Sequence, residues 1–246
     1  MVIGPVRGGI PEHGRVPKSF AAKDELLVIV DGLAEGDPLP PERDLAERLG
    51  VSRATIRQAV REILLAGRVK RMGRNTVKAG PKLTQPLSLS SYTEGVRSQG
   101  RTPGRIVVQL TTIDADSSLA DDLAVDVGAP VIHLERVLLV DDERVGLEST
   151  FLSQARFSLP HKDFDPTGSL YAWLEANGVR FASATERIET VLASPREAML
   201  IGISPALPML LLERRSVDAD GRPIERVRGL YRGDRFSFTT TLVTKT

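Results

Sequence analysis

The sequence predicts an α+β protein with two domains, a helical one in residues 17–80 and a mixed one of strands and helices in residues 91–246. Two patterns carry this prediction. In the first domain apolar residues recur three and four positions apart, which is typical of amphipathic helices. In the second, alternating apolar and polar runs are separated by polar turns, which indicates strands with short helices between them.

The chain opens with residues 1–16, which are rich in glycine and proline and predict a flexible arm. They lack the apolar core of a signal peptide. A first helix is expected over residues 18–33. Its inward face is expected to hold Leu26, Leu27, Ile29 and Val30.

The segment ERDLAERLGVSRATIRQAVR, residues 42–61, predicts two short helices joined by a tight turn. Gly50 permits the turn, and Ser52 is suited to cap the second helix. Apolar residues keep helical spacing on both sides, at Leu45, Ala46, Leu49, Ile56, Val60, Ile63 and Leu64. This is the pattern of a helix-turn-helix, whose second helix lies in the major groove of DNA.

The outward face of that second helix carries Arg53, Thr55, Arg57 and Gln58. Cations at a helix N-terminus oppose the helix dipole, so stability alone would favour acidic residues there. Arginine matches both phosphates and guanine edges, so these four residues are predicted to contact DNA. The alternative is the solvated face of an ordinary helical hairpin.

A basic hairpin is predicted next, with strands at residues 69–71 and 76–79. Arg74 and Asn75 at its tip are placed to enter the minor groove, as in a wing; a plain hairpin is the alternative. Residues 1–80 carry a formal charge of +4 and residues 81–246 a charge of −3. A basic segment beside a helix-turn-helix is typical of a protein with a polyanionic partner.

Composition excludes several classes of protein. No apolar run reaches the roughly 18 residues of a membrane span. The chain has no cysteine, which favours a reducing cytoplasm. Its three histidines show no ligand spacing, so we expect neither a metal nor a cofactor.

Residues 81–90 are predicted to be a linker. Beyond it, strands are predicted at residues 106–113, 131–140, 144–152, 183–192, 209–217, 223–231 and 236–243. Short helices are predicted at residues 91–100, 117–124, 169–176 and 195–201. The runs LERVLLVDDERVGLE and LERRSVDADGRPIERV resemble each other, which suggests two pseudo-symmetric halves around a shared cleft.

Strand alternation places Arg136 on an apolar face with Ile132, Leu134, Leu138 and Val140. A buried arginine is costly unless an anion meets it. Either a structural partner such as Glu148 or the anion of a ligand can fill that role. A turn leading into a helix at residues 165–171 favours a ligand phosphate or carboxylate.

Residues 18–80 resemble the winged helix-turn-helix of the GntR superfamily, through LPPERDLAERLGVSRATIRQAV and the basic wing. The resemblance implies that DNA is contacted by Arg43, Arg53, Thr55, Arg57 and the tip of the wing.

The second domain resembles the UTRA effector domain of the HutC branch, through LSSYTE, LESTFL, GSLY, IETVLASPREA and VRGLYRGDRFSF. That resemblance implies a chorismate-lyase-like fold, and regulators of N-acetylglucosamine use are the most similar branch. It also implies a phosphate surrounded by Ser91, Tyr92, Thr93, Arg136, Ser169 and Tyr171. Glu148, Glu225 and Tyr231 would face the sugar. Those regulators carry a second arginine at the position of Leu138, so a less anionic ligand is an open alternative to a sugar phosphate.

These observations predict a transcriptional regulator, in this family most often a repressor, that binds a palindromic operator as a homodimer. An enzyme of chorismate-lyase-like fold is one alternative, although no nucleophile–base pair is recognisable. A DNA binder without sequence preference is another, and its affinity would depend on salt but hardly on sequence.

Overall fold

A computed structural model describes residues 18–157 and 164–242; the predicted arm of residues 1–16 lies outside them. The chain divides into two compact units, residues 1–80 and 81–246. The predicted α+β class is confirmed, with three helices and a two-stranded hairpin described in the first unit and a mixed second unit. Among the described residues, no helix combines the length and hydrophobicity needed to cross a bilayer.

In the first unit the helix-turn-helix forms as predicted. The helices are α1 (Lys18–Asp31), α2 (Glu42–Leu49) and α3 (Arg53–Leu65). Gly50 ends α2 with a φ of 63°, in the left-handed region that favours glycine. The Ser52 hydroxyl caps α3 by accepting a hydrogen bond of 3.1 Å from the Thr55 N–H. The helices pack around a core that includes Leu26, Val30, Leu45, Ile56 and Ile63.

The hairpin of the first unit is tighter than predicted. Strands β1 (Val69–Met72) and β2 (Asn75–Lys78) pair antiparallel, and Met72 lies opposite Asn75. Both residues belong to the strands, which leaves a two-residue turn of Gly73 and Arg74. Gly73 has a φ of 60°, a conformation that such short turns require.

The second unit is built on a six-stranded antiparallel sheet, in the order β4-β5-β6-β9-β8-β7. These strands are β4 (Pro103–Asp114), β5 (Pro130–Val140), β6 (Glu143–Ser153), β7 (Ser183–Leu192), β8 (Pro208–Val217) and β9 (Pro223–Arg232). The helices between them are α4 (Tyr92–Arg97), α5 (Ser117–Leu123), α6 (Leu170–Ala176) and α7 (Pro195–Ile201).

The order of these elements repeats. The first half reads α4-β4-α5-β5-β6 and the second α6-β7-α7-β8-β9, and β6 pairs with β9 where the halves meet. Helices α4 and α6 pack on one face of the sheet, in clusters that contain Leu138 and Leu134 respectively. Helices α5 and α7 pack on the opposite face, against Val131 and Val137. The repeated Leu-Glu-Arg hairpins are therefore the β5-β6 and β8-β9 hairpins of two related halves.

The prediction of a linker over residues 81–90 is wrong for its centre. Strand β3 (Leu83–Pro86) pairs in parallel with β10 (Phe236–Thr239). Leu83 and Gln85 are buried and alternate with exposed neighbours, but four residues are too few for this alternation to be recognised in the sequence. The predicted strand at residues 236–243 is correspondingly shorter, because β10 ends where its partner ends.

Gly146 provides a test of the junction between the halves. A Cβ at this position would lie 2.6 Å from the Leu230 carbonyl oxygen of the neighbouring strand. We expect Gly146→Ala to lower the free energy of unfolding by about 1–3 kcal/mol, as overpacking does. Gly104→Ala is the control, because its Cβ would meet Leu139 Cβ at an ordinary 3.4 Å. Urea denaturation checks both variants, and equal effects would contradict the prediction.

Candidate ligand pocket and nucleic-acid interface

The residues predicted to contact DNA lie on the surface of the first unit. Arg53, Arg57 and Gln58 are exposed on α3, and the Arg43 side chain at the start of α2 is 80% exposed. Thr55 is half-buried, and its hydroxyl is 2.9 Å from that of Ser52. The helix therefore presents its first two turns outward, as the charge pattern predicts.

Several of these side chains have partners that orient them, including Arg43, whose Nε donates to Asp44 Oδ1 at 3.0 Å. The Arg57 guanidinium donates through Nε and Nη2 to Glu42 Oε2, both at 3.4 Å. Gln58 donates to Glu62 at 3.2 Å. Arg53 has no ion-pair partner among the described residues. These contacts are weak and exposed, so a phosphate or a base edge can replace them at low cost.

The wing carries the remaining candidates. Arg74 lies in its turn and Asn75 begins β2, and both are exposed. Arg71 on β1 is exposed as well, so the tip of the hairpin is basic. Contact of these residues with DNA stays a prediction.

In the second unit, a cavity of about 40 Å³ opens on the face of the sheet that carries α4 and α6. Eight of the nine residues predicted to bind an effector line it: Ser91, Tyr92, Arg136, Glu148, Ser169, Tyr171, Glu225 and Tyr231. The ninth, Thr93, lies behind the wall and accepts a hydrogen bond of 2.8 Å from Arg105 Nη2. The structure thus brings the predicted residues together, while ligand binding stays a prediction.

Arg136 is almost completely buried, at 2% exposure. Its Nη2 donates to Glu148 Oε1 at 2.6 Å, directly across from it on β6. Its Nη1 donates to the carbonyl oxygens of Gly168 at 3.0 Å and Pro166 at 3.4 Å. The structural interpretation of Arg136 is therefore correct as far as it goes. The Nε of the same guanidinium has no partner among the described residues, so the ligand interpretation also stays open.

A second polar group lies on the other half of the sheet. Arg214 of β8 forms an ion pair with Glu186 of β7 and donates to the Tyr171 hydroxyl at 2.9 Å. Tyr171 in turn donates to Glu225, which also accepts a 3.0 Å hydrogen bond from Ser216. This network holds Glu225 in place at the floor of the cavity.

Burial raises the pKa of Glu225 to about 7, although hydrogen bonds from Tyr171 and Ser216 and the charge of Arg214 oppose the shift. Burial is the dominant cause because the carboxylate loses its hydration. Near neutral pH the group is therefore divided between its neutral and charged forms. Its Oε2 has no partner among the described residues.

Four of the residues that line this one cavity each have a buried polar atom without a partner among the described residues. These atoms are the Nε donors of Arg105 and Arg136 and the oxygens Gln85 Oε1 and Glu225 Oε2. Buried polar groups are normally satisfied, so such a concentration requires an explanation. A ligand with an anionic group and a hydrogen-bond donor would satisfy both kinds of atom.

Sequence reasoning missed several lining residues, among them Gln85, Arg105 and Arg214. The sequence does indicate a role for Arg214, because this residue occupies the arginine position of the repeated Leu-Glu-Arg run. It gives no such indication for Arg105, which lies one residue before the predicted strand at residues 106–113. Gln85 was assigned to the linker.

The pKa of Glu225 makes the stability of the second unit depend on pH. The folded value of about 7 lies above the ordinary 4.5, so the folded chain keeps a proton that the unfolded chain has released. The stabilisation from Glu225 is full below about pH 4.5 and is lost as the pH rises towards about 7. Over that range the free energy of unfolding should fall more for the wild type than for Glu225→Gln. Urea titrations at several pH values check this, and parallel curves would contradict it.

Comparison with known proteins matches each unit to a protein family. Residues 27–78 match the family described as bacterial regulatory proteins, gntR family, and residues 98–237 match the UTRA domain. The chain is 47% identical to the HTH-type transcriptional repressor PhnF of Mycolicibacterium smegmatis, over 94% of this chain and 95% of the relative. It is 33% identical to the HTH-type transcriptional repressor NagR of Bacillus subtilis, over 93% of this chain and 96% of the relative.

A solved structure agrees with these matches. The crystal structure of PhnF from Mycobacterium smegmatis is 48% identical, covers 91% of this chain and 100% of its own, and has a TM-score of 0.68. The relatives are regulators, and both matching units lie in one chain. The protein therefore belongs to the GntR family of bacterial regulatory proteins, as a DNA-binding transcriptional regulator whose second unit is a UTRA domain.

Proposed function

We propose that this protein is a repressor that binds a palindromic operator as a homodimer in the cytoplasm and responds to a small anionic effector in the cavity of its second unit. One observation carries the choice of effector: two arginines that line the same cavity each have a buried Nε donor without a partner among the described residues. Two relatives that are themselves repressors support the choice of function.

The charges around the cavity favour an anion. Three arginines line it, Arg105, Arg136 and Arg214, against the two carboxyl groups of Glu148 and Glu225. Glu148 neutralises Arg136, and Glu186, which is outside the lining, neutralises Arg214. Because Glu225 is partly protonated near neutral pH, it offsets the third arginine only in part, which leaves a small net positive charge. An anion that enters this low-dielectric site gains more electrostatic stabilisation from these charges than it would gain from the same charges in water.

The size of the cavity favours a compact group. One water needs roughly 10–15 Å³ on this scale, so about 40 Å³ is room for roughly three waters. That space suits a single tetrahedral oxyanion with a short polar substituent. A sugar phosphate requires the cavity to widen, and the buried network around Glu225 offers the hydroxyl-binding groups that a sugar would use.

The cavity is proposed to bind rather than to turn over its ligand. Its lining residues, all within the described part of the chain, include no histidine, lysine or cysteine. The hydroxyls of Ser91 and Ser169 already cap α4 and α6 by accepting backbone N–H bonds. The Ser91 hydroxyl also donates to Glu94 Oε2 at 3.2 Å, but that oxygen accepts the Ser91 backbone N–H at 2.8 Å as part of the same helix cap. Ser169 has no carboxylate partner among the described residues, so neither serine has the arrangement of an activated nucleophile.

The effector acts by shifting the equilibrium between arrangements of the dimer that can bind the operator and arrangements that cannot. A homodimer reads two half-sites only while its two recognition helices are one helical turn of DNA apart. A ligand that binds one arrangement of the dimer more tightly changes operator affinity by the ratio of its two affinities, typically 5- to 150-fold.

Arg57 is the residue on which we test the DNA contact. Loss of a bidentate contact to a base typically costs about 1–3 kcal/mol. Arg57→Ala should therefore weaken binding to the operator and relax the preference at one base position in each half-site. Arg187→Ala removes an exposed arginine from the second unit, 67% exposed against 52% for Arg57, and should leave binding unchanged. Fluorescence anisotropy on an operator library measures both; unaltered preference in Arg57→Ala would refute the base contact.

Arg136 tests the effector site. Phosphate monoesters, phosphonates and carboxylates are screened by thermal shift on the full chain, since a ligand raises the melting temperature by mass action. The best ligand should change operator affinity at least about fivefold in the wild type. Arg136→Lys should keep operator binding but lose most of the ligand-induced shift, because lysine lacks the fork that reaches both Glu148 and the ligand. A ligand that stabilises both proteins equally would place the site elsewhere.

A further inference from the structure

Arg105 lies on β4, directly opposite Leu138 on β5. Side chains of such cross-strand pairs point to the same face of a sheet, and Leu138 shares its face of β5 with Arg136 two residues away. Arg105 and Arg136 are therefore diagonal neighbours on the face that forms the floor of the cavity, and both line it. Long side chains in this relation reach a common point.

The surroundings of Arg105 compensate its charge only in part, through the charge of Glu148, which Arg105 does not contact in an ion pair. Its Nη2 donates to Thr93, and its guanidinium lies over the Tyr92 ring, 5.2 Å from the centroid. Its Nε is buried without a partner, and no carboxylate of the described residues forms an ion pair with it. A cation taken out of water in this way is costly unless an anion joins it.

Arg136 is in the opposite situation, since Glu148 already neutralises it. The excess positive charge at this end of the cavity therefore belongs to Arg105. Burial, followed by the nearby charge of Arg136, lowers the pKa of the Arg105 guanidinium from its ordinary value. A bound anion would relieve both effects.

We propose that Arg105 is the second anion-binding arginine of the pocket, and that Arg105 and Arg136 together bind the tetrahedral oxyanion of a phosphate monoester or a phosphonate. This rests on the proposed effector function and names the chemical class of the effector. Two arginines that line one cavity from neighbouring strands, each with an unused Nε–H donor, suit an anion with three terminal oxygens better than a planar carboxylate with two. Arg105 thereby supplies, from the neighbouring strand, a guanidinium that Leu138 lacks.

Because Arg105 and Leu138 are opposite each other, mutation can transfer the guanidinium from one strand of this pair to the other. Arg105→Leu removes the guanidinium, and the double variant Arg105→Leu/Leu138→Arg returns one to the opposite position of the same cross-strand pair. Arg187→Leu is the matched control, because it removes an exposed arginine from β7, the strand at the far edge of the sheet. Each full-length protein is titrated with inorganic phosphate, methylphosphonate and acetate, and binding is followed by thermal shift and calorimetry.

Phosphate and methylphosphonate should stabilise the wild type and the control, and acetate should do so much less. Arg105→Leu should bind phosphate at least tenfold more weakly, and the double variant should recover most of that loss. Arg105→Lys keeps the charge but lacks the Nε donor, so its affinity for phosphate should lie between those of the wild type and Arg105→Leu. This variant also provides a test if the leucine variant fails to fold. Melting temperatures without anion identify any variant that is poorly folded.

Two outcomes would overturn the proposal in different ways. If the wild type binds phosphate and Arg105→Leu binds it equally well, the assignment of Arg105 fails while the anionic effector stands. If none of the anions stabilises the wild type, both the effector class and the role of Arg105 fail.

Discussion

The ion pair between Arg136 and Glu148 is the interaction on which the second unit depends. It lies on the sheet with side-chain exposures of 3% and 13%, and the same guanidinium holds the carbonyl oxygens of Gly168 and Pro166. One side chain thus ties the turn before α6 to the sheet and fixes a wall of the cavity. Breaking a buried pair from one side leaves a buried charge and typically costs 3–5 kcal/mol, so both partners must be kept together.

The two halves of the second unit explain why the cavity has chemically different ends. Arg136 and Arg214 occupy the same position of the repeated Leu-Glu-Arg run, and both face the cavity. Arg136 pairs with Glu148 on the following strand, whereas Arg214 pairs with Glu186 on the preceding one. Glu225 is left at the second end with an unpaired oxygen. A repeated scaffold has therefore produced an asymmetric site, which suits a ligand with an anionic group at one end and a donor at the other.

Much of this architecture could be predicted from the sequence because the signals are local. Gly50, Ser52 and the apolar spacing around them specify the helix-turn-helix without reference to the rest of the chain. Strand alternation likewise identified the face that carries Arg136. The missed features depend on partners distant in sequence: β3 exists only through its pairing with β10, about 150 residues further on. Arg105 becomes a site residue only through the register of β4 against β5, which alternation within a single strand does not reveal.

Strand β3 also has a consequence for communication along the chain. Gln85, Pro86 and Leu87 form part of the cavity wall, and Arg214 donates to the Ser88 carbonyl oxygen at 3.3 Å. The first unit ends at Gly80, so fewer than five residues separate its boundary from this wall. A ligand that rearranged Arg214 or Gln85 would therefore act on backbone that is continuous with the segment joining the two units. The proposed effector site and this joining segment are neighbours along the chain.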